Sequence, residues 1–184
     1  MPRSPQLIDI LQNVVGADLN SGSQSVVHFF THNDVAGGWE GWLQVAYAMG
    51  VFAYNDTSNY NREVAYPNNW RCDLWFQATR GVPIWIELKS QRSSSYTGTV
   101  GDFATDIQKI LELGQAFLSK NVNVAMAVLS PRSSDLTMLN EIRNAGPRGV
   151  LKYMIFANSG WVDVTAKILE APTGGTLLAT WRYS

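Results

Sequence analysis

A single cysteine, Cys72, stands in the 184 residues, so no internal disulfide can form and the chain agrees with a reducing compartment. Its neighbours in sequence are apolar and no histidine lies near it, so it reads as a packed thiol on the apolar side of a strand, not a nucleophile. An excess of one charge is also lacking. With 14 basic against 15 acidic residues the formal net charge is −1, which excludes a broad basic coat and restricts any nucleic-acid contact to a local patch. Arg62, Arg71, Arg80, Lys89 and Arg92 are the candidates for such a rim. No apolar run reaches membrane-spanning length, and Met1 to Pro5 leads into an amphipathic segment. Neither a signal peptide nor a membrane partner is therefore expected, and the expected setting is cytoplasmic. Histidine is scarce too: His28 and His32 lie four apart in a strand-like region and read as core or loop residues. Internal repeats and low-complexity tracts are absent.

What is present is enough apolar sequence for one core and too little length for two, so residues 1–184 are expected to form a single α/β domain. Leu7, Ile10, Leu11, Val14 and Val15 predict an N-terminal helix over 5–15 that Gly16 ends. Residues 26–30 suggest a strand. Trp39, Trp42, Leu43, Ala46 and Tyr47 form a helical stripe with Glu40 and Gln44 beside it. Residues 54–70 show no clear period and read as a loop with a short strand around 64–66. The Ser-, Thr- and Gly-rich run 92–101 reads as a connector or lid, and a long helix starts at Asp102 with Phe103, Ile107, Ile110, Leu111, Gly114, Phe117 and Leu118 on one face. Asp102 and Asp106 then suit its N-terminal turns. Residues 123–129 read as a strand covered on both faces, 134–145 as a helix, 150–157 as a buried strand and 161–183 as a terminal β hairpin.

The chemistry concentrates in Arg71 to Gln91. Side chains alternate along a strand, so Cys72, Leu74, Phe76 and Ala78 share one face, and Arg71, Asp73, Trp75 and Gln77 the other. In the following run Val82, Ile84, Ile86 and Leu88 are the apolar row, while Trp85, Glu87, Lys89 and Gln91 share the opposite side. A turn centred on Arg80, with Gly81 as the permissive residue, sets Asp73 opposite Glu87 and Trp75 opposite Trp85. Directly opposed Cβ atoms are about 5 Å apart. Two carboxylates that close repel by roughly 3 kcal/mol at an effective dielectric near 20, which a cation or a shared proton must offset. The ordinary alternative is the polar side of a half-exposed hairpin, where a Glu-Lys pair contributes about 0 to 1 kcal/mol. Trp75 and Trp85 are cross-strand packing, or a platform for a base beside the acidic face.

This arrangement, Asp73 followed by Glu87-Leu88-Lys89 on the next strand, resembles the PD-(D/E)xK nuclease superfamily, with Cys72 where the family often has proline. Glu40 stands where members add a glutamate from the preceding helix. The resemblance spans roughly residues 38–130 and implies a restriction-endonuclease-like αβββαβ core, a central mixed β-sheet flanked by helices. It implies Mg²⁺, or Mn²⁺, held by Asp73, Glu87 and the Leu88 carbonyl, with Glu40 binding a second ion. Lys89 would orient or help deprotonate the attacking water, and Gln91 would position water or phosphate. Gln108 or Lys109 could assist from the crossover helix, although a solvated helix face is the commoner role. The implied activity is hydrolysis of phosphodiesters, DNA before RNA, with a homodimer as one route to specificity. A ribonuclease on the same scaffold and a silent module that binds nucleic acid or a partner are the alternatives.

Overall fold

Short connections reverse a chain and long ones carry it back, and both regimes occur here. The computed structural model describes residues 7–21, 24–26, 29, 39–54, 57–78, 83–91, 97–129, 151–157 and 164–170. Strands β1 (Thr57–Ala65), β2 (Arg71–Ala78) and β3 (Pro83–Ser90) pair antiparallel in chain order. Beyond them β4 (Val122–Leu129) and β5 (Leu151–Ala157) run parallel, and β6 (Val164–Glu170) lies antiparallel to β5. The result is one mixed sheet in the order β1-β2-β3-β4-β5-β6, so the expected α/β class with a mixed sheet flanked by helices is what forms.

Helices α1 (Leu7–Leu19) and α2 (Glu40–Tyr54) cover one face of the sheet, where Leu7, Ile10, Leu11, Leu43, Tyr47 and Val51 meet Leu74, Phe76, Ile84, Ile86, Leu88, Val124 and Met126. Helix α3 (Thr97–Leu111) and the short α4 (Gln115–Leu118) cover the other, through Phe103, Ile107, Ile110 and Leu118 against Ala125 and Ala127. Strand β4 therefore sends branched and long side chains one way and alanines the other, which lets α3 approach the sheet closely. Each fully buried Leu or Ile in these layers contributes about 1.5–3 kcal/mol through the water it sheds.

Several expectations are corrected. The segment read as a loop is a nine-residue strand, β1, closed onto β2 by a turn in which Tyr66 N–H donates to Trp70 O at 2.7 Å and Asn69 takes φ 66°. It lies at the end of the sheet order with most of its side chains exposed, so its polar residues carried no period. Helix α1 runs through Gly16 to Leu19. Val26 and Phe29 are helical rather than extended: Phe29 N–H donates to Ser25 O at 3.0 Å, and Asp18 accepts Ser25 Oγ at 2.7 Å and Val26 N–H at 2.9 Å. That carboxylate caps the turn, and the two bonds override the strand propensity of Val26. Helix α3 begins at Thr97, inside the expected connector, and stops at Leu111, because Gly114 at φ 79° breaks the run before α4. Expectations at His28, His32, Arg80, Gly81, Arg92, the helix over 134–145 and the second arm of the C-terminal hairpin lie outside the described residues.

Candidate metal centre

The β2–β3 ladder pairs Trp75 with Trp85 and Leu74 with Ile86, the expected register. One step further the backbone pairing ends, and Asp73 Oδ2 instead accepts the Leu88 N–H at 2.7 Å. The carboxylate thus takes over a bond that the strand would have made, which fixes Asp73 beside β3 and leaves no orphaned amide at Leu88. On the outer side, β1 skips the pair Glu63 and Asp73, and Glu63 adopts φ 54°. Alternation along β2 breaks here. Cys72 clusters with Tyr66 and Phe103 on the α3 side, not with Leu74 and Phe76, which corrects its expected face. Its thiol is fully buried, 2.9 Å from the Leu74 carbonyl and 3.2 Å from that of Ile86, and burial with the nearby Glu87 charge pushes its pKa up.

Asp73 from β2, Glu87 from β3 and Asp106 from α3 each offer a carboxylate oxygen, and the three oxygens lie within 4.8 Å of one another. All three side chains are buried. Lys89 stands beside them, its Nζ 3.2 Å from Glu40 Oε1, 3.1 Å from Asp106 Oδ2 and 3.9 Å from Asp73 Oδ2. A second ammonium, that of Lys109, lies 2.6 Å from Glu87 Oε1 and 3.5 Å from Asp106 Oδ1. The Tyr66 hydroxyl donates to the same Glu87 oxygen at 2.9 Å.

Four carboxyl groups therefore face two ammonium groups, and the fully ionised cluster carries two uncompensated negative charges. Burial, then Asp73 and Asp106, push the Glu87 carboxyl up to about 8, against the pull of Lys109. Asp106 is also raised, chiefly by burial, with Lys89 and Lys109 opposing. Lys89 and Lys109 are raised although burial opposes it: Asp73, Asp106 and Glu40 favour the Lys89 ammonium, and Glu87, Asp106 and Asp73 that of Lys109. The missing charge is that of one divalent cation, and buried carboxylate oxygens are the donors that hard cations prefer. The donor set fits such an ion.

Of the residues expected from sequence, Asp73, Glu87 and Lys89 come together, and Glu40, at the first turn of α2, reaches the same ammonium. The Leu88 carbonyl lies 3.4 Å from Lys89 Nζ. Gln91 is buried at the end of β3, where its carbonyl accepts Trp39 Nε1 at 2.8 Å and its N–H donates to Val128 O at 3.0 Å. That bond pins the start of α2, and hence Glu40, to the strand carrying Lys89. Gln108 is exposed and donates to Glu112 Oε1 at 3.2 Å, the solvated role. Lys109 is not solvated, contrary to the commoner role, because α3 turns it toward Glu87. Asp106 was missed: with α3 starting at Thr97 it lies mid-helix, between the buried Phe103 and Ile107, and it faces the sheet. Its one signal was the Asp106–Lys109 pair flanking the apolar stripe. Tyr66, in a turn, gave none.

Trp85 is committed to packing. Its ring stacks on Tyr66 with centroids 5.0 Å apart, Phe117 meets it edge-on at 5.3 Å, and its Nε1 donates to Asn121 Oδ1 at 3.1 Å. Trp75 contacts it edge-on at 6.3 Å. Among the described residues no helix is long and apolar enough to cross a membrane. Compared with known proteins, the chain matches no family model and is similar to no curated protein.

Proposed function

We propose that this protein is a Mg²⁺-dependent nuclease of the PD-(D/E)xK type that hydrolyses phosphodiester bonds, DNA first among its substrates. The observation that carries the reading is the meeting of Asp73, Glu87 and Asp106 within 4.8 Å, with Lys89 beside them, in a cluster that with Glu40 and Lys109 carries two negative charges in excess when ionised. Asp73, Glu87 and Asp106 would hold the ion with the Leu88 carbonyl alongside, and Glu40 could engage a second. Such a cation, Mg²⁺ or Mn²⁺, supplies neutralisation of phosphate charge and a lowered pKa for water. The remaining work belongs to side chains. Lys89, its pKa raised by three carboxylates, stays an ammonium and so orients the attacking water and stabilises the charge that grows on the phosphate oxygens. Glu40 and Asp106 hold that ammonium from two sides, so it is positioned before substrate arrives. Gln91 closes the end of the same strand and would place water or phosphate there. The preference for DNA over RNA rests on the resemblance of the Asp73 and Glu87-Leu88-Lys89 pattern.

The test is incubation of the purified protein with plasmid, linear duplex, single strands and RNA, each with Mg²⁺, Mn²⁺ or EDTA. Cleavage of DNA that needs the divalent ion is expected, falling by about 10²-fold or more in Asp73→Asn, Asp106→Asn and Lys89→Ala. Cleavage of RNA alone would reassign the substrate. Binding without cleavage under every ion would leave a nucleic-acid-binding module. Full activity in Asp106→Asn would remove α3 from the site.

A further inference from the structure

Lys109 makes a short ion pair in the centre, on a carboxylate that the proposed cation would need. Its Nζ lies 2.6 Å from Glu87 Oε1, the same atom that accepts the Tyr66 hydroxyl at 2.9 Å. It is also tethered elsewhere. The ammonium donates to the Arg71 carbonyl at 2.8 Å and sits 5.6 Å from the centre of the Tyr66 ring, so it keeps a backbone acceptor and a π face if Glu87 lets go. Lys89, by contrast, makes its ion pairs with Glu40, Asp73 and Asp106. The two lysines therefore share Asp106, which Lys109 meets at 3.5 Å, and otherwise divide the acidic cluster: Lys89 takes Glu40 and Asp73, and Lys109 takes Glu87.

We propose that Lys109 is a resident counter-cation that occupies Glu87 when no ion is bound and competes with the incoming divalent cation for it, and that it thereby sets the affinity of the site. The inference rests on the metal-dependent reading above and concerns a residue which that reading does not use. The physical reason is charge density. An ion that coordinates two or three carboxylate oxygens at once can displace a single ammonium, whereas a monovalent cation gains too little to do so. The ammonium stays on the Arg71 carbonyl, which it already meets at 2.8 Å, and remains near enough to repel the ion. Lys109 is thus a positioning residue, acting through Glu87.

The test is calorimetric titration of Mn²⁺ into the full chain, metal-free and without nucleic acid, for the native sequence, Lys109→Met, Lys109→Arg and Asp73→Asn. Lys109→Met is expected to bind Mn²⁺ about tenfold tighter or more, as removal of a neighbouring positive charge requires, and Lys109→Arg to bind within a few-fold of the native protein. The Mn²⁺-induced rise in melting temperature should be larger in Lys109→Met than in the native chain. If that variant fails to fold without metal, its refolding as a function of Mn²⁺ concentration reports the same affinity. Equal or weaker Mn²⁺ binding in Lys109→Met, with the native protein and not Asp73→Asn binding the ion, overturns this inference alone. Absence of Mn²⁺ binding by the native chain at millimolar concentration, or undiminished binding by Asp73→Asn, overturns the metal reading and the inference with it.

Discussion

Glu87 accepts the Tyr66 hydroxyl and the Lys109 ammonium on one oxygen, and still its carboxyl is pushed up to about 8, because burial and the charges of Asp73 and Asp106 outweigh those donors. A buried acid of this kind makes stability depend on pH in the direction opposite to a salt-bridged surface carboxylate. Unfolded, Glu87 loses its proton near its ordinary value of 4.5, whereas folded it keeps it to about 8. Between those values the native state binds more protons than the unfolded one, so stability falls as pH rises through that window and levels off above it. Asp106 is shifted in the same direction, chiefly by burial. The metal-free protein in EDTA should therefore lose on the order of a few kcal/mol between pH 5 and pH 8.5, seen as a falling melting temperature. Saturating Mn²⁺ should flatten the curve, and Glu87→Gln should remove most of the slope without metal. A melting temperature that climbs across this range would contradict the buried, proton-holding Glu87. At this scale the sequence was legible where strand period and hairpin register decide: Asp73 shares a side with Trp75, Glu87 and Lys89 share one with Trp85, and the Trp75–Trp85 pair brings the two rows together. Asp106 and Tyr66 were hidden because their approach depends on where a helix starts and how a turn closes, which no local pattern of theirs records.

Elements were legible in proportion to how far burial stamps a pattern on them. Strands β3 and β4 sit inside the sheet and are covered on both faces, and their apolar rows were plain. The edge strand β1 has no such stamp, and the start of α3 was read late because Thr97 to Gly101 is composed like a loop, although the packing of Phe103 and Ile107 secures the helix that follows. Packing between α1 and α2 supplies a test at this scale. A Cβ at Gly50 would lie 2.7 Å from Ile10 Cγ2 and 3.2 Å from Val14 Cγ2, so the two helices meet where α2 has no side chain. Gly50→Ala gains about 1 kcal/mol of helix propensity and loses about 1–3 kcal/mol to the overlap with a branched side chain whose rotamer is fixed in a helix. Net destabilisation of about 1 kcal/mol is expected in urea unfolding, with Ile10→Leu in the same chain, which takes away the γ2 methyl, recovering part of it. Stabilisation by Gly50→Ala would mean that α1 can move away, and that Glu40, carried by the same helix α2, is less firmly placed than its bond to Lys89 implies.

Across the whole molecule the charges nearly cancel, 14 basic against 15 acidic, while the centre alone is two negative charges in excess when ionised. A polyanion approaching this site meets repulsion unless a divalent ion is in place, and among the described residues few cations stand near it to compensate. Among the described residues Arg62 and Arg71 are exposed near the centre, yet Arg62 donates to Gln44 Oε1 at 2.6 Å and Arg71 to the Glu63 carbonyl at 3.0 Å. These contacts hold both guanidinium groups close to the sheet edge, where they can meet two or three phosphates of one duplex segment. The expected electrostatic footprint is therefore small. Each neutralised phosphate contributes about −0.9 to the slope of log K against log salt, so duplex binding by the Lys89→Ala variant in Mn²⁺ should show a slope of roughly −2 to −3. In EDTA the same binding should weaken severalfold, because the carboxylates then face the phosphates uncompensated. Fluorescence anisotropy over 50 to 300 mM salt separates the cases. A slope near −8 would place most of the contacts on a basic surface away from the metal centre, and affinity unchanged by EDTA would show that the acidic cluster does not face the bound strand.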